Sequence, residues 1–305
     1  MDNISNLASN MQLLATSLAK LTELQDYCPT QVPGLTVFKK TQATTIAGFY
    51  EPSVCLIAQG AKDVQLGDES YHYDSKHYLF SGMHLPVVAK VTDASIEQPY
   101  LGLKLTFDYQ EITQLMTDSQ LPPPKGLSSG RGMATGTLSL ALISAFQRLV
   151  DLTEDESSIP MLAPMIRREI FYRLLIGEQG EKLRQFAAMG TQTHQVAKAI
   201  SWLKANFSKS IRIEDLAHIA SMGVSTFHHH FRNMTAMSPL QYLKQMRLQE
   251  ARRLMLTEHL DAATSAFQVG YESPSQFSRE YGRLYGRSPA KDVNELRFKL
   301  AQASK

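Results

Sequence analysis

Two fifteen-residue stretches decide the fold: "STFHHHFRNMTAMSP" (residues 225–239) and "SQFSREYGRLYGRSP" (residues 275–289). They share one register at an offset of 50 residues. Ser225 matches Ser275, Phe227 matches Phe277, Phe231 matches Tyr281, Ala236 matches Gly286, and Ser238-Pro239 matches Ser288-Pro289. Upstream, Ile219 and Ala220 match Val269 and Gly270. Apolar anchors, small turn residues and Ser-Pro stops that recur together mark an internal repeat.

Each copy reads as short helix, turn, helix. In the first, "RIEDLAHIA" places Ile213, Leu216, Ala217 and Ala220 on one face, "SMGVS" turns at Gly223, and "STFHHHFRNM" is the second helix, with Ser225 as its cap. In the second copy, "DAATSAFQV" is the first helix and Gly270-Tyr271 the turn. Ser273 is a natural N-cap, with Pro274 at the first helical position, and Gly286 is the expected stop. Ser238-Pro239 opens a longer helix, "PLQYLKQMRLQEARRLMLTE". It is expected to join the copies through Leu240, Leu243, Ala251 and Leu254, with Arg247, Arg252 and Arg253 off that stripe.

Three adjacent histidines, His228 to His230, suggest a metal site, because imidazole is the commonest metal ligand. The helix argues against it. Consecutive helical residues point about 100° apart, so one helix cannot close all three around an ion. A helix-turn-helix lays its second helix in the DNA major groove. Phe227 and Phe231, four residues apart, hold that helix to the core, and Thr226, His228 and His229 face outward. In the second copy Ser275, Gln276 and Arg279 take the outward positions. Gln pairs with adenine and Arg with guanine through two hydrogen bonds each, and imidazole can meet a base edge or a phosphate.

Charge supports this reading. The chain of 305 residues carries a net charge of only +2. Residues 191–305, however, hold 16 basic against 9 acidic side chains, and residues 1–190 hold 15 against 20. A basic C-terminal third on an otherwise acidic chain fits a polyanionic partner. The length allows about two domains. With 43% apolar and 20% charged residues, the composition is that of a soluble globular protein. No run of 18 apolar residues and no secretory leader stand out. The two cysteines, Cys28 and Cys55, do not make a disulfide framework, which fits a reducing cytoplasm. Cys55 reads first as a small buried hydrophobe on a strand, and a redox role is the rarer alternative.

The opening segment sets Ile4, Leu7, Met11, Leu14, Leu18 and Leu21 at spacings of three and four, a helical seam. Such a seam docks on its own domain or pairs with another subunit. From Gly34 to Thr106 the texture turns to β. "LTVFKKT", "SVCLIAQGAKDVQLG", "ESYHYD", "HYLFSG", "LPVVAKVT" and "YLGLKLTF" are short strand-like runs between turn residues, as in a small barrel or sandwich. "SSGRGMATG" (residues 128–136) lacks the ending of a phosphate loop and reads as a flexible loop. "TLSLALISAFQRLVDLT" then returns to helix, with an apolar face through Leu138, Leu142, Ala145, Phe146 and Leu149. "PMIRREIFYRLLIGEQGEKLRQFAAMG" continues as amphipathic helix.

These stretches resemble a known family. "EDLAHIASMGVSTFHHHFRNMTAMSPLQYLKQMRLQEARRLM" and "SAFQVGYESPSQFSREYGRLYGRSP" are similar to the AraC/XylS-type bacterial transcription regulators. "YEPSVCLIAQGAKDVQLGDESYHYDSKHYLFSGMHLPVV" resembles the cupin-like N-terminal domain of one branch, and "RREIFYRLLIGEQGEKLRQFA" its linker helices. The resemblance implies an α+β multidomain protein. A cupin-like β-barrel with flanking helices would form a sensor and dimerisation domain at 1–155, linker helices would occupy 156–190, and an all-α DNA-binding domain with two helix-turn-helix units would fill 191–305. It implies a cytoplasmic, nucleoid-associated homodimer that binds double-stranded DNA and an unidentified small-molecule effector, with RNA polymerase a candidate partner and no cofactor. Carried over by position, Ser225, His228, His229, Ser275, Gln276 and Arg279 are the DNA-contacting residues. His229 departs from the family, which often has Arg there. Imidazole cannot reproduce the guanidinium fork.

The rival reading is a metal-dependent cupin-type enzyme fused to a helical DNA-binding module. His72, His77 and His84, with Glu69 and Asp74, would be its ligands. His72 and His77 are five apart, and an odd separation puts strand residues on opposite faces. No paired H-x-H and no catalytic triad pattern appear, so a ligand pocket is preferred. Tyr50, Phe80, His84 and Tyr100 are its candidate lining.

Overall fold

The computed structural model describes residues 2–125 and 130–303. The chain divides into two compact units. One comprises residues 1–197 with 233–236, and the other residues 198–232 with 237–305.

The first unit begins with helix α1 (Asp2–Leu21), whose Met11, Leu14 and Leu18 are buried. The seam therefore docks on its own unit. Ten strands follow: β1 (Tyr27–Pro29), β2 (Leu35–Lys40), β3 (Thr45–Tyr50), β4 (Ser53–Gln59), β5 (Ala61–Leu66), β6 (Glu69–Asp74), β7 (His77–Ser81), β8 (Leu85–Asp93), β9 (Tyr100–Thr106) and, after helix α2 (Tyr109–Asp118), β10 (Met133–Thr137). They form a six-stranded sheet in the order β1-β2-β9-β4-β7-β10 and a four-stranded sheet in the order β3-β8-β5-β6. Every pairing is antiparallel. The cupin-like barrel is thus two packed sheets without a closed hydrogen-bonded ring among the described residues. β4 lies inside the larger sheet and is buried on both faces except at its last residue. For that reason "SVCLIA" reads as a continuous apolar run instead of an alternation. Gly60, at φ +89, turns β4 into β5. A Cβ there would stand 2.5 Å from the Asp93 carbonyl.

Three strands were not legible in the sequence. β1 is three residues long, β3 is an edge strand with its first three residues exposed, and β10 takes up part of the Gly-rich stretch. The loop expected over 128–136 is therefore corrected at Met133–Gly136, where the chain pairs with β7 from Ser81 to Tyr78. Residues 128 and 129 lie outside the described residues.

Helix α3 (Leu140–Asp151) buries Leu142, Ala145, Phe146 and Leu149 against α1 and helix α4 (Ile159–Ile176). With helix α5 (Gly180–Ala187), α4 closes over an aromatic group. Phe107 stacks on Phe80 at 5.8 Å and meets Phe171 edge-on at 5.8 Å, while Phe186 also meets Phe80 edge-on at 5.8 Å. Arg167 ties α4 to the sheet: it donates to the carbonyls of Pro33 at 2.7 Å and Thr106 at 3.1 Å, and pairs with Glu111 at 2.7 Å.

Most of the second unit is the repeat. After helix α6 (Gln192–Asn206) come α7 (Ile213–Ile219), α8 (Val224–Thr235), α9 (Pro239–Thr257), α10 (Ala262–Gln268), α11 (Pro274–Tyr285) and α12 (Pro289–Ala303). Helices α8 and α11 each have 12 residues and start 50 residues apart, and the starts of α9 and α12 are also 50 residues apart. Ser273 caps α11, Pro274 opens it, and Gly286 ends it in the left-handed region at φ +74. Ser238 and Gln241 form a full capping box at the start of α9. Two local expectations are corrected. α8 starts at Val224, one residue early, so Ser225 sits in its first turn and does not cap it. Leu240 is 51% exposed, whereas Leu243, Ala251 and Leu254 are buried as expected.

Candidate nucleic-acid interface and effector region

Each candidate reading helix is held from below by an aromatic pair one turn apart. In α8 the Phe227 and Phe231 rings are 5.4 Å apart, and Phe231 meets Tyr242 of α9 edge-on at 5.3 Å. In α11 Phe277 packs on Tyr271 at 5.4 Å and on Tyr281 at 5.5 Å. Phe227, Phe231, Phe277 and Tyr281 have no accessible surface. The opposite faces are in water. Ser225, Thr226 and His229 are exposed in α8, with His228 half-buried at their flank, and Ser275, Gln276 and Arg279 are exposed in α11.

The two faces differ in chemistry. On α8, His229 and His230 stand edge to face at 5.4 Å. Burial, and then the neighbouring His229, push the pKa of His230 below the ordinary histidine value. On α11 the polar groups are braced. Glu280 accepts from Lys244 Nζ at 2.9 Å, Tyr271 Oη at 2.9 Å and Gln276 Nε2 at 3.2 Å. Burial alone would raise the Glu280 carboxyl, but these hydrogen bonds hold it below the usual carboxylate range. The brace uses one N–H of Gln276 and leaves its other N–H and its oxygen for a partner. Arg279 has no hydrogen bond or ion pair among the described residues and is free to reach outward.

Two other arginines, Arg252 and Arg247, are engaged within the protein. Arg252 donates to both carboxylate oxygens of Asp292, at 2.7 and 3.0 Å, and lies over the Tyr285 ring at 4.3 Å. Tyr281 also donates to Asp292, at 2.7 Å. Asp292 is 5% exposed, so this carboxylate ties α9, α11 and α12 together in the interior. Arg247 donates to the carbonyls of Phe207 at 2.7 Å and Lys209 at 2.8 Å, just past the end of α6. Burial lowers its pKa. Neither role could be read from a helical wheel, which shows only that both side chains leave the apolar stripe.

In the first unit the candidate pocket residues separate. Tyr50 and Tyr100 come together around Lys62, whose Nζ lies 5.5 Å from one ring centre and 5.6 Å from the other. Phe80 belongs instead to the aromatic group under α5. His84 is half-buried just before β8. Lys62, Tyr73 and Cys55 were not singled out as lining by sequence. The available signal is a lysine at the position that alternates with the buried Val64 and Leu66 of β5. The histidines proposed as metal ligands disperse: His72 pairs with Asp63 at 2.6 Å and His77 with Asp74 at 2.8 Å. Among the described residues no three His, Cys, Asp or Glu side chains gather as a metal site.

Two helix-turn-helix units on one connecting helix, in a chain that also carries a two-sheet domain with packed helices, define a two-part regulator. The AraC-type transcriptional regulator N-terminus model matches residues 31–182, and a helix-turn-helix domain model matches residues 216–294. The chain belongs to the AraC-type transcriptional regulators. It is 23% identical over 166 residues to the HTH-type transcriptional activator RhaS of Pectobacterium carotovorum subsp. carotovorum (strain PC1), covering 54% of this chain and 58% of that protein. It is 26% identical over 148 residues to RhaS of Citrobacter koseri, covering 48% and 51%. The chain spans about half the length of the curated relatives it matches. An apo variant of ToxT from Vibrio cholerae strain SCE256 has the same fold, with a TM-score of 0.57 at 13% identity over 85% of this chain and 96% of that one.

The Arg247 geometry sets one expectation. Arg247→Ala frees two carbonyls and should cost about 2 kcal/mol of stability, seen as a lower thermal midpoint with base preference unchanged. A variant with unaltered melting and uniformly weaker DNA binding would assign Arg247 to a phosphate instead.

Proposed function

We propose that this protein is a sequence-specific DNA-binding regulator that reads one asymmetric site per chain with α8 and α11 and answers to a small molecule held in its N-terminal unit. The observation that carries the reading is the pair of equal-length helices, each with buried aromatics beneath and exposed polar groups above, in a basic C-terminal third. Ser225, His228 and His229 would contact one box, and Ser275, Gln276 and Arg279 the other. Joined by one stiff helix, the units can enter successive major grooves roughly 34 Å, or about 10 bp, apart. RNA polymerase is the expected protein partner of a DNA-bound activator, and mapping of bound DNA across the genome would identify the regulated genes. The enzyme alternative is less well supported: two of its three proposed histidine ligands, His72 and His77, pair with different carboxylates. No helix among the described residues is long and apolar enough to cross a membrane.

The reading includes a homodimer. The apolar stripe of α3 is covered within the chain, and α4 carries an open apolar face. Met161 (71% exposed), Met165 (62%), Tyr172 and Ile176 repeat at spacings of four, seven and four. That is close to a seven-residue seam, and two copies of one helix meeting about a two-fold axis would cover it.

Three outcomes test this reading. Arg279→Ala should cost about 1–3 kcal/mol at a specific site and relax preference in one box only; relaxed preference in both boxes would defeat the asymmetric model. Histidine in water titrates near pH 6.5, so lowering the pH from about 8 to 6 should tighten DNA binding and steepen its salt dependence. His230, with its depressed pKa, would add charge only at the acid end. A variant with Gln at 228, 229 and 230 should lose that response, and an unchanged response would place the histidines away from DNA. Sedimentation of the full chain should give a dimer at micromolar concentration and a monomer for Met165→Glu. A Met165→Glu dimer would move the interface elsewhere.

A further inference from the structure

The facing sides of the two sheets are not uniformly apolar. Register places Lys62 opposite Tyr73 and Val91 on the smaller sheet, and Cys55 opposite Lys104 on the larger one. Lys62 points between Tyr50 and Tyr100, near Cys55. Part of Lys62 and part of Tyr50 remain accessible, whereas Tyr73, Tyr100 and Cys55 are buried.

Charge in this region does not balance. Lys104 Nζ pairs with Glu51 at 2.5 Å, and Lys40 Nζ with Asp26 at 3.6 Å. Among the described residues no carboxylate pairs with Lys62. Of these three ammonium groups Lys62 is thus the one without a carboxylate partner among the described residues. Ring faces soften the field of a cation, but a desolvated ammonium without a counter-ion remains costly. Burial lowers the Lys62 pKa, with nearby Lys40 adding to the effect and Cys55 opposing it. A polar group is also left over: the Tyr50 hydroxyl is buried without a partner of hydrogen-bonding geometry, although Tyr73 lies near enough to act on it. Burial raises the pKa values of Tyr50, Tyr73 and Tyr100, so all three keep their protons near neutrality and remain donors.

We propose that the N-terminal unit binds a small organic monocarboxylate, whose carboxylate pairs with the Lys62 ammonium and accepts a hydrogen bond from the Tyr50 hydroxyl. One excess positive charge calls for one negative charge. A spare hydroxyl beside it calls for an acceptor. The neighbouring Val64, Ala89 and Val91 and the tyrosine rings suit an apolar or aromatic remainder. The proposal rests on the reading of this unit as an effector domain, and it names the effector's chemical class.

The test is thermal melting and calorimetric titration of the full chain with acetate, hexanoate and benzoate. Benzamide serves as the uncharged match of benzoate, and inorganic phosphate as the inorganic anion. At about ten times its dissociation constant, at least one carboxylate should raise the midpoint by roughly 3–5 °C, with benzamide and phosphate far weaker. K62M should abolish this response and, without ligand, melt no lower than wild type, because it removes an uncompensated charge. Should K62M melt lower, Y50F decides: it keeps the ring and should weaken carboxylate binding about tenfold. Carboxylate binding unchanged in Y50F, or unchanged in K62M, overturns the proposal, as does phosphate acting as well as the carboxylates. Equal responses to benzamide and benzoate would overturn it while leaving an effector pocket in place. Silence from every probe would overturn it and also remove support from the effector reading.

Discussion

In each helix-turn-helix unit an aromatic pair four residues apart is fully buried beneath a helix whose other side is in water. That pair fixes the rotation of the helix about its own axis. A helix of 12 residues has little stability alone, and its outward groups would point nowhere definite without the pair. Once Phe277 and Tyr281 are buried, Ser275, Gln276 and Arg279 must face outward, because the helical period allows nothing else. The glycine stop, the Ser-Pro start and the Glu280 brace refine an orientation that burial has already chosen.

The same logic explains what the sequence disclosed. The repeat was legible because both copies obey one constraint at one spacing: α9, α11 and α12 begin at their Ser-Pro pairs and α11 ends at Gly286. β4 was legible because a strand buried on both faces reads as a nearly continuous apolar run. β1, β3 and β10 were hidden because short or edge strands carry weak patterns, and because glycine in "GMATG" looks like a loop until β7 is placed beside it. At the candidate sites, residue types on the outer faces of α8 and α11 followed from period alone. The bracing of Gln276 by Glu280, the engagement of Arg247 with backbone carbonyls and the meeting of Lys62 with Tyr50 and Tyr100 did not. Each depends on contacts between elements far apart in sequence.

The two copies of the repeat have also diverged in how their helices are held. The second copy carries Asp292, buried under Arg252 and Tyr281. A carboxylate so placed binds α9, α11 and α12 together only while it is charged and all its partners are present. In the first copy Phe231 stands at the position of Tyr281 and has no hydroxyl to offer. It meets Tyr242 edge-on instead. The second copy therefore adds the Asp292 bonds to an aromatic packing that both copies share.

Helix α9 spans 19 residues, about 28 Å at the ordinary helical rise. It is at once a core element of both copies and the spacer between them. Adding one residue inside it would turn everything beyond by about 100° and advance it by about 1.5 Å. Such an insertion would re-aim Arg279 relative to the outer face of α8 without altering an outward side chain of either helix. The length of this helix is accordingly under a stricter constraint than its surface composition.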